Sequence, residues 1–147
     1  ALPADAGTII DFNERMALET EHKRLDRATL EPGVRRLLAD RSLGRYWLAV
    51  GDDGQALGQL MVTYEWSDWR NGPFFWIQSV YVSEGARRHG VYRALHERCV
   101  DEARRDGAVG VRLYVAPGNE RAIATYSRLG MSKTYDVMEL PLPRPGS

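Results

Sequence analysis

The stretch from Phe74 to about Asp106 does most to limit the architecture of this chain. Phe74 to Val82 is apolar and rich in β-branched and aromatic residues, as expected of a buried central strand. It stops at Ser83-Glu84-Gly85-Ala86-Arg87-Arg88-His89-Gly90. Beyond that turn Val91, Leu95, Cys99 and Ala103 fall four apart, the spacing of an amphipathic helix that Gly107 and Gly110 end. Val111 to Val115 reads as the next strand, so the unit is strand–helix–strand with its two strands parallel.

The flanking segments fit around that unit. Asp5 is a candidate cap for a first helix with Ile9, Phe12 and Met16 at helical spacing. The charge-dense run from Glu14 to Glu31 reads as helix and loop with a solvated face. A short second helix is expected after Pro32, with Val34, Leu37 and Leu38 facing inward. Tyr46 to Val50 and Gln55 to Trp66 form a hairpin around Gly51-Asp52-Asp53-Gly54, and Asn71-Gly72 marks another turn. Downstream, Glu120 to Leu129 reads as a helix with Ile123, Tyr126 and Leu129 on one side, and Gly130 stands where a C-cap glycine belongs. Met131 to Leu140 is expected to be a last strand region and Pro141 to Ser147 a frayed tail. The predicted fold is α/β, a mixed sheet in one domain over residues 1–140, with an antiparallel meander followed by βαβαβ.

Composition removes several classes. A chain of 147 residues is the size of one domain with one core. Lys+Arg and Asp+Glu each total 20, so the broad positive footprint of a nucleic-acid binder is absent and no nucleic-acid partner is expected. The single cysteine, Cys99, has no intramolecular disulfide partner, and with three scattered histidines no metal site is expected. No apolar stretch approaches the roughly 18 residues of a membrane helix, and the N-terminus lacks signal-peptide features. No membrane partner and a cytoplasmic, reducing setting are the expectations.

The chemistry is concentrated at the start of the third helix. The first amides of a helix have no intrahelical partner and sit at the positive end of its dipole, a ready place for phosphate. Arg87, Arg88 and Arg93 add charge there, and Gly90 lets the backbone approach closely. Read alone, Arg-x-x-Gly fits an ordinary solvated turn equally well. Further on stands Gly118-Asn119-Glu120-Arg121-Ala122-Ile123-Ala124-Thr125-Tyr126-Ser127-Arg128-Leu129-Gly130-Met131. Together the two segments resemble the GCN5-related N-acetyltransferase (GNAT) superfamily, in element order from about Leu48 to Met138 and in motif from Val80 to Gly130.

That resemblance implies an acetyl-CoA-dependent N-acetyltransferase with acetyl-CoA as co-substrate. It implies that the backbone of Val80, Tyr81 and Val82 pairs with the pantetheine arm. The loop Arg87, Arg88, His89, Gly90, Val91 and Tyr92 would hold the pyrophosphate, with Asn119 and Tyr126 also at the coenzyme. The family's opening strand is expected to be missing here, and a homodimer is expected. One position departs from the family's Gln/Arg-x-x-Gly-x-Gly/Ala pattern: Tyr92 stands where a small residue belongs, and it either limits the approach of the diphosphate or points away.

Acetyl transfer needs a neutral amine. An alkylammonium of pKa about 10.4 costs about 4.6 kcal/mol to deprotonate at pH 7, which a base or a site that depresses its pKa can offset. The departing thiolate needs a proton, and Tyr126, a phenol, suits that role. Family members often carry a glutamate on the central strand; here Gln78 and Ser79 stand in its place. Glu65 is therefore the preferred base, acting directly or through water, with Asp68 second. Seven of the fourteen aromatic residues lie between Tyr64 and Tyr81. Trp66 and Trp69, beside Glu65 and Asp68, either wall an amine pocket by cation–π contact or form a dimer patch. Thr63 to Trp69 is similar to the aromatic, acidic hairpin of diamine and polyamine acetyltransferases. The expected acceptor is thus a small primary amine, with Trp66, Asp68, Trp69 and Gln78 binding it. A non-catalytic acyl-CoA-binding sensor on the same fold, and acetylation of a protein amine, stay open as alternatives.

Overall fold

A computed structural model describes residues 1–144, in two units, Ala1–Tyr114 and Val115 onward. In the first unit, helix α1 (Ala6–Glu21) starts after a short 3-10 turn, where the Asp5 carboxylate accepts from the Leu2 amide at 2.7 Å. Its buried face is Ala6, Ile9, Ile10, Phe12, Asn13 and Ala17, and it ends at His22 in the left-handed region (φ 52°). Met16, expected on that face, is half-buried.

Helix α2 runs Arg27–Ala39, so the sequence expectation of a helix beginning after Pro32 is corrected. Asp26 caps it, accepting from the Ala28 amide at 3.1 Å and the Thr29 hydroxyl at 2.9 Å, and the helix is under way before the proline is reached. Pro32 lacks an N–H, so the helix forgoes the bond to the Ala28 carbonyl and continues past it.

Strands β1 (Arg45–Val50), β2 (Ala56–Ser67) and β3 (Gly72–Val82) form an antiparallel meander, and β4 (Gly110–Leu113) pairs parallel to β3. The connection from β3 to β4 is α3 (Val91–Arg105). One face of the sheet packs against α3 through Leu60, Val62, Phe75, Ile77, Leu95, Cys99 and Ala103. A second cluster joins Ile9 and Ile10 of α1, Val34 and Leu37 of α2, and Tyr46 of β1. Burial pushes the Cys99 thiol up to about 12. Arg45 ties β1 to α3: its guanidinium meets Asp106 at 2.6 Å and Glu102 at 3.4 Å, and its Nε donates to the Tyr64 hydroxyl at 2.8 Å.

The β2–β3 ladder contains an irregularity that simple alternation does not predict. Met61 faces Ser79 but Val62 faces Ile77, so Gln78 is an extra residue on β3. A bulge of one residue exchanges the two faces of the strand beyond it. Phe75 and Ile77 point to the α3 side, as does Val80, whereas Tyr81 crosses to the other face and packs its ring on Phe12 of α1, centroids 5.3 Å apart.

The second unit holds helix α4 (Glu120–Arg128), capped by Asn119, whose side-chain oxygen accepts from the Ala122 amide at 3.1 Å. Its C-terminus is closed as Gly130 predicts. Gly130 has φ 91°, its amide donates to Ser127 and the Met131 amide donates to Tyr126, a Schellman motif. From Met131 to Arg144 the chain has no helix or strand, which corrects the expected last strand over Met131–Leu140. The residues have strand-forming character, but a strand exists only through a ladder, and none is formed over this segment's described residues. The end of the expected tail, residues 145–147, lies outside the described residues.

Candidate acyl-coenzyme site

β4 is short, and its length shapes the site. It pairs with β3 only from Phe74 to Ile77. Beyond the Gln78 bulge, Ser79 to Val82 are paired with β2 on one side, and among the described residues of the first unit no strand pairs with them on the other. The result is a run of backbone N–H and C=O groups at Val80–Val82 along which an extended amide-bearing chain can lie as an added strand. Gly58 permits the close β2–β3 approach opposite it: a Cβ there would stand 2.6 Å from the Tyr81 carbonyl oxygen.

From Val82 the chain turns through Glu84–Ala86 into α3. Gly90 caps the helix at φ 78° without a side-chain hydrogen bond, and Ala94 is the first residue whose amide donates back, to Gly90. The amides of Val91, Tyr92 and Arg93 thus face outward from a helix of fifteen residues, at its positive end. Arg88 also holds a left-handed conformation (φ 66°), uncommon outside glycine. Arg88 and His89 are exposed. The Tyr92 ring lies along α3 near His96, centroids 6.3 Å apart, which favours the second of the two expectations for this residue.

A Gly90→Val substitution isolates the backbone requirement. Nothing lies within 4 Å of a Cβ at Gly90, so no clash is added, but a β-branched residue at positive φ is strained by about 1–3 kcal/mol. Urea unfolding is expected to show a loss of that order, and titration calorimetry at least a tenfold weaker coenzyme affinity.

Arg87 is not free in solvent. Its Nε donates to the Val82 carbonyl at 3.0 Å and its guanidinium pairs with Glu19 of α1 at 2.5 Å, while the Tyr81 hydroxyl donates to the same carboxylate at 3.0 Å. Arg87 holds Glu19 below the ordinary carboxylate range; burial first, then Glu19, pushes the Tyr81 phenol up. Sequence reasoning left Glu19 in a solvated charged face, and no local pattern marks it, because its partners lie more than sixty residues away.

The hairpin tip is a separate place. Glu65 pairs through Oε1 with Arg112 of β4 at 2.6 Å, and that guanidinium lies 3.6 Å from the centroid of Phe74. Glu65 stands opposite Phe74 in the ladder, six residues before Val80, or roughly 20 Å of strand. Trp66 and Trp69 are 65% and 92% exposed. Asp68 accepts from the Trp69 amide at 2.9 Å, and Gln78 donates to the Thr63 hydroxyl at 2.9 Å. The first unit therefore brings Val80–Val82 together with the Arg87–Tyr92 loop, and gathers Glu65, Trp66, Asp68 and Trp69 at the far end of β2. In the second unit, Asn119 is spent on capping α4 and Tyr126 is half-buried on that helix.

Among the described residues no group of three or more His, Cys, Asp or Glu could hold a metal ion, and no helix is long and apolar enough to cross a membrane. The chain is 41% identical to a structure from Clostridium difficile 630 described as a possible acetyltransferase, with a TM-score of 0.91 over 98% of this chain and 95% of that one. It shares its fold, at 15% identity and TM-score 0.75 over 97% and 96% of the two chains, with a ribosomal-protein-alanine N-acetyltransferase from Brucella melitensis biovar Abortus 2308. A transcriptional regulator from Bacillus halodurans C-125 has the same fold at 16% identity and TM-score 0.82, over 97% and 96%. No curated protein matches the chain. The model of the acetyltransferase (GNAT) family matches residues 11–131, and this chain belongs to the GNAT acetyltransferase family.

Proposed function

We propose that residues 1–140 act as one N-acetyltransferase domain that moves the acetyl group of acetyl-CoA to a small primary amine in the cytoplasm. The observation that carries this reading is the unpaired backbone of Val80–Val82 leading into the outward-facing amides of α3. The strand edge suits the amides of the pantetheine arm, and the helix start suits the diphosphate. The thioester supplies the activated acyl group. The amine nitrogen attacks its carbonyl carbon, strand N–H groups steady the oxyanion, and the carbon–sulfur bond then breaks. Tyr126 gives the departing thiolate its proton, as the family resemblance suggests.

The exposed Trp66 and Trp69, flanked by Glu65 and Asp68, support a cationic acceptor drawn in by charge and held against aromatic faces, with Gln78 lining its path. Glu65, paired with Arg112 at Oε1 and roughly 20 Å of strand from Val80, acts by drawing the cationic acceptor in and not by taking the reacting amine's proton at the thioester. Its contribution is accordingly small: Glu65→Gln is expected to lower kcat by less than about tenfold, below the usual range for a directly placed base.

The test mixes the full chain with acetyl-CoA and a panel of diamines, polyamines, amino acids and alanine-ended peptides, following free thiol. Release that depends on a small amine supports the proposal. Tight coenzyme binding with no release under any amine overturns it in favour of a non-catalytic acyl-CoA-binding module, and release with peptides alone overturns the substrate class.

A further inference from the structure

One carboxylate on α1 gathers the corner where β3 ends. Glu19 accepts from the Tyr81 hydroxyl through Oε1 at 3.0 Å and from the Arg87 guanidinium through Oε2 at 2.5 Å. The Arg87 Nε reaches back to the Val82 carbonyl at 3.0 Å, and the guanidinium carbon lies 5.8 Å from the centroid of the Tyr81 ring. Helix α1, the end of β3 and the loop that follows are thereby joined in one closed circuit of contacts. Glu19 does not serve its own helix. It stands in the last turn of α1, which holds no basic residue, at the negative end of the dipole, where an anion is unfavourable unless a cation answers it. Arg87 answers it and holds the carboxyl below its ordinary range, so the pair is ionised at neutral pH.

The position of the Val82 carbonyl gives this circuit its meaning. The Ser83 amide donates to the Leu57 carbonyl of β2 at 2.9 Å, and a trans peptide points its C=O opposite to its N–H. The Val82 oxygen therefore faces away from β2, along the edge assigned to the pantetheine arm, and Arg87 already donates to it. The guanidinium lies against Tyr81 on the α1 face of the sheet, whereas the outward amides of Val91 to Arg93 belong to α3 on the other face. Arg93 is paired with Glu97 at 3.0 Å. Of Arg87, Arg88 and Arg93, only Arg88 has no carboxylate partner among the described residues.

We propose that Glu19 is a positioning residue of the coenzyme site: through Arg87 it fixes the end of β3 and the start of the phosphate loop, and Arg87 serves as this tie and not as a ligand of the diphosphate. The role rests on the coenzyme reading given above. A loop already held in its binding shape loses less freedom when the ligand arrives, so the tie raises affinity without touching the ligand. Loss of a tie and loss of a charge act in opposite directions here. Acetyl-CoA is an anion, so by charge alone removal of a nearby carboxylate leaves its affinity equal or raises it. Cutting the tie lowers it.

Titration calorimetry with acetyl-CoA and amide hydrogen exchange of the free protein test this on the full chain. Glu19→Gln is expected to weaken acetyl-CoA binding at least about tenfold and Arg87→Gln by as much, with the double variant no more than about twofold beyond either, because one circuit is broken once. Without ligand, the Ala86 and Arg87 amides, which donate to Ser83 and Glu84, are expected to exchange faster in each variant. An exposed ion pair adds little stability, so the urea midpoint is expected to stay within about 0.3 M of the parent. In turnover the loss falls on the KM for acetyl-CoA, with kcat kept within about twofold. Glu19→Gln binding as tightly as the parent, beside a weakened Arg87→Gln, would make Arg87 a direct ligand and overturn the tie. Additive losses in the double variant would overturn it as well. A parent chain that binds no acetyl-CoA would overturn the coenzyme reading itself, a failure told apart from the others because the parent and not the variant lacks affinity.

Discussion

Tyr126→Phe is expected to lower kcat by about 100-fold or more while leaving acetyl-CoA affinity within about twofold of the parent. Phenylalanine keeps the half-buried ring of Tyr126 on α4 and removes the hydroxyl that would give the proton. Without a donor the alkylthiolate leaves unprotonated or waits for water. General acid assistance is worth about 10²–10⁴-fold, and this variant removes that contribution alone. Steady-state kinetics beside titration calorimetry separates the outcomes. A fall in kcat with affinity kept identifies a proton donor; an unchanged kcat removes Tyr126 from the chemistry. The Glu65→Gln effect is predicted to be much smaller, and a reversal of that order would make Glu65 the principal group.

Phe75→Ala is expected to cost about 3–5 kcal/mol of unfolding free energy, a large share of what holds a domain together. Phe75 is 1% exposed, at the centre of the face that α3 covers. Its ring meets Tyr64 edge-on at 5.2 Å between centroids, and the Arg45 guanidinium stands 5.2 Å from it. Removing the ring leaves a cavity lined by Leu60, Val62, Leu95 and Cys99, packed between strands and a helix that resist collapse. Chemical denaturation followed by tryptophan fluorescence measures the loss, and a drop in Tm of roughly 10 °C accompanies it. A loss under about 1 kcal/mol would mean that the sheet–α3 core is not the main stabilising cluster. Because β3 and α3 carry the proposed coenzyme site, this variant is also expected to weaken coenzyme binding near its melting range.

The legible parts of this chain were those set by local periodicity and by glycine. The four-residue spacing of Val91, Leu95, Cys99 and Ala103 gave α3, and Gly130 gave the end of α4. What local pattern missed depends on partners distant in sequence. The helix around Pro32 starts further back, at an Asp26 cap, and runs on through the proline. The Gln78 bulge appears only when β3 is set against β2, yet it decides that Tyr81 faces α1. The last strand expected over Met131–Leu140 is not formed, because strand propensity supplies no ladder partner. In the candidate site, Val80–Val82 and Gly90 were legible because backbone chemistry follows from strand and helix ends. The ion pairs Glu65–Arg112 and Glu19–Arg87 were not, because they join residues 47 and 68 positions apart.

Amide hydrogen exchange with and without acetyl-CoA addresses the central claim most directly. Coenzyme is expected to slow exchange at Val80–Val82 and at the first amides of α3, Val91 to Arg93, and to leave the Trp66–Trp69 hairpin tip unchanged. Coenzyme that binds while those amides exchange at their free rate, or protection confined to another part of the sheet, would contradict it.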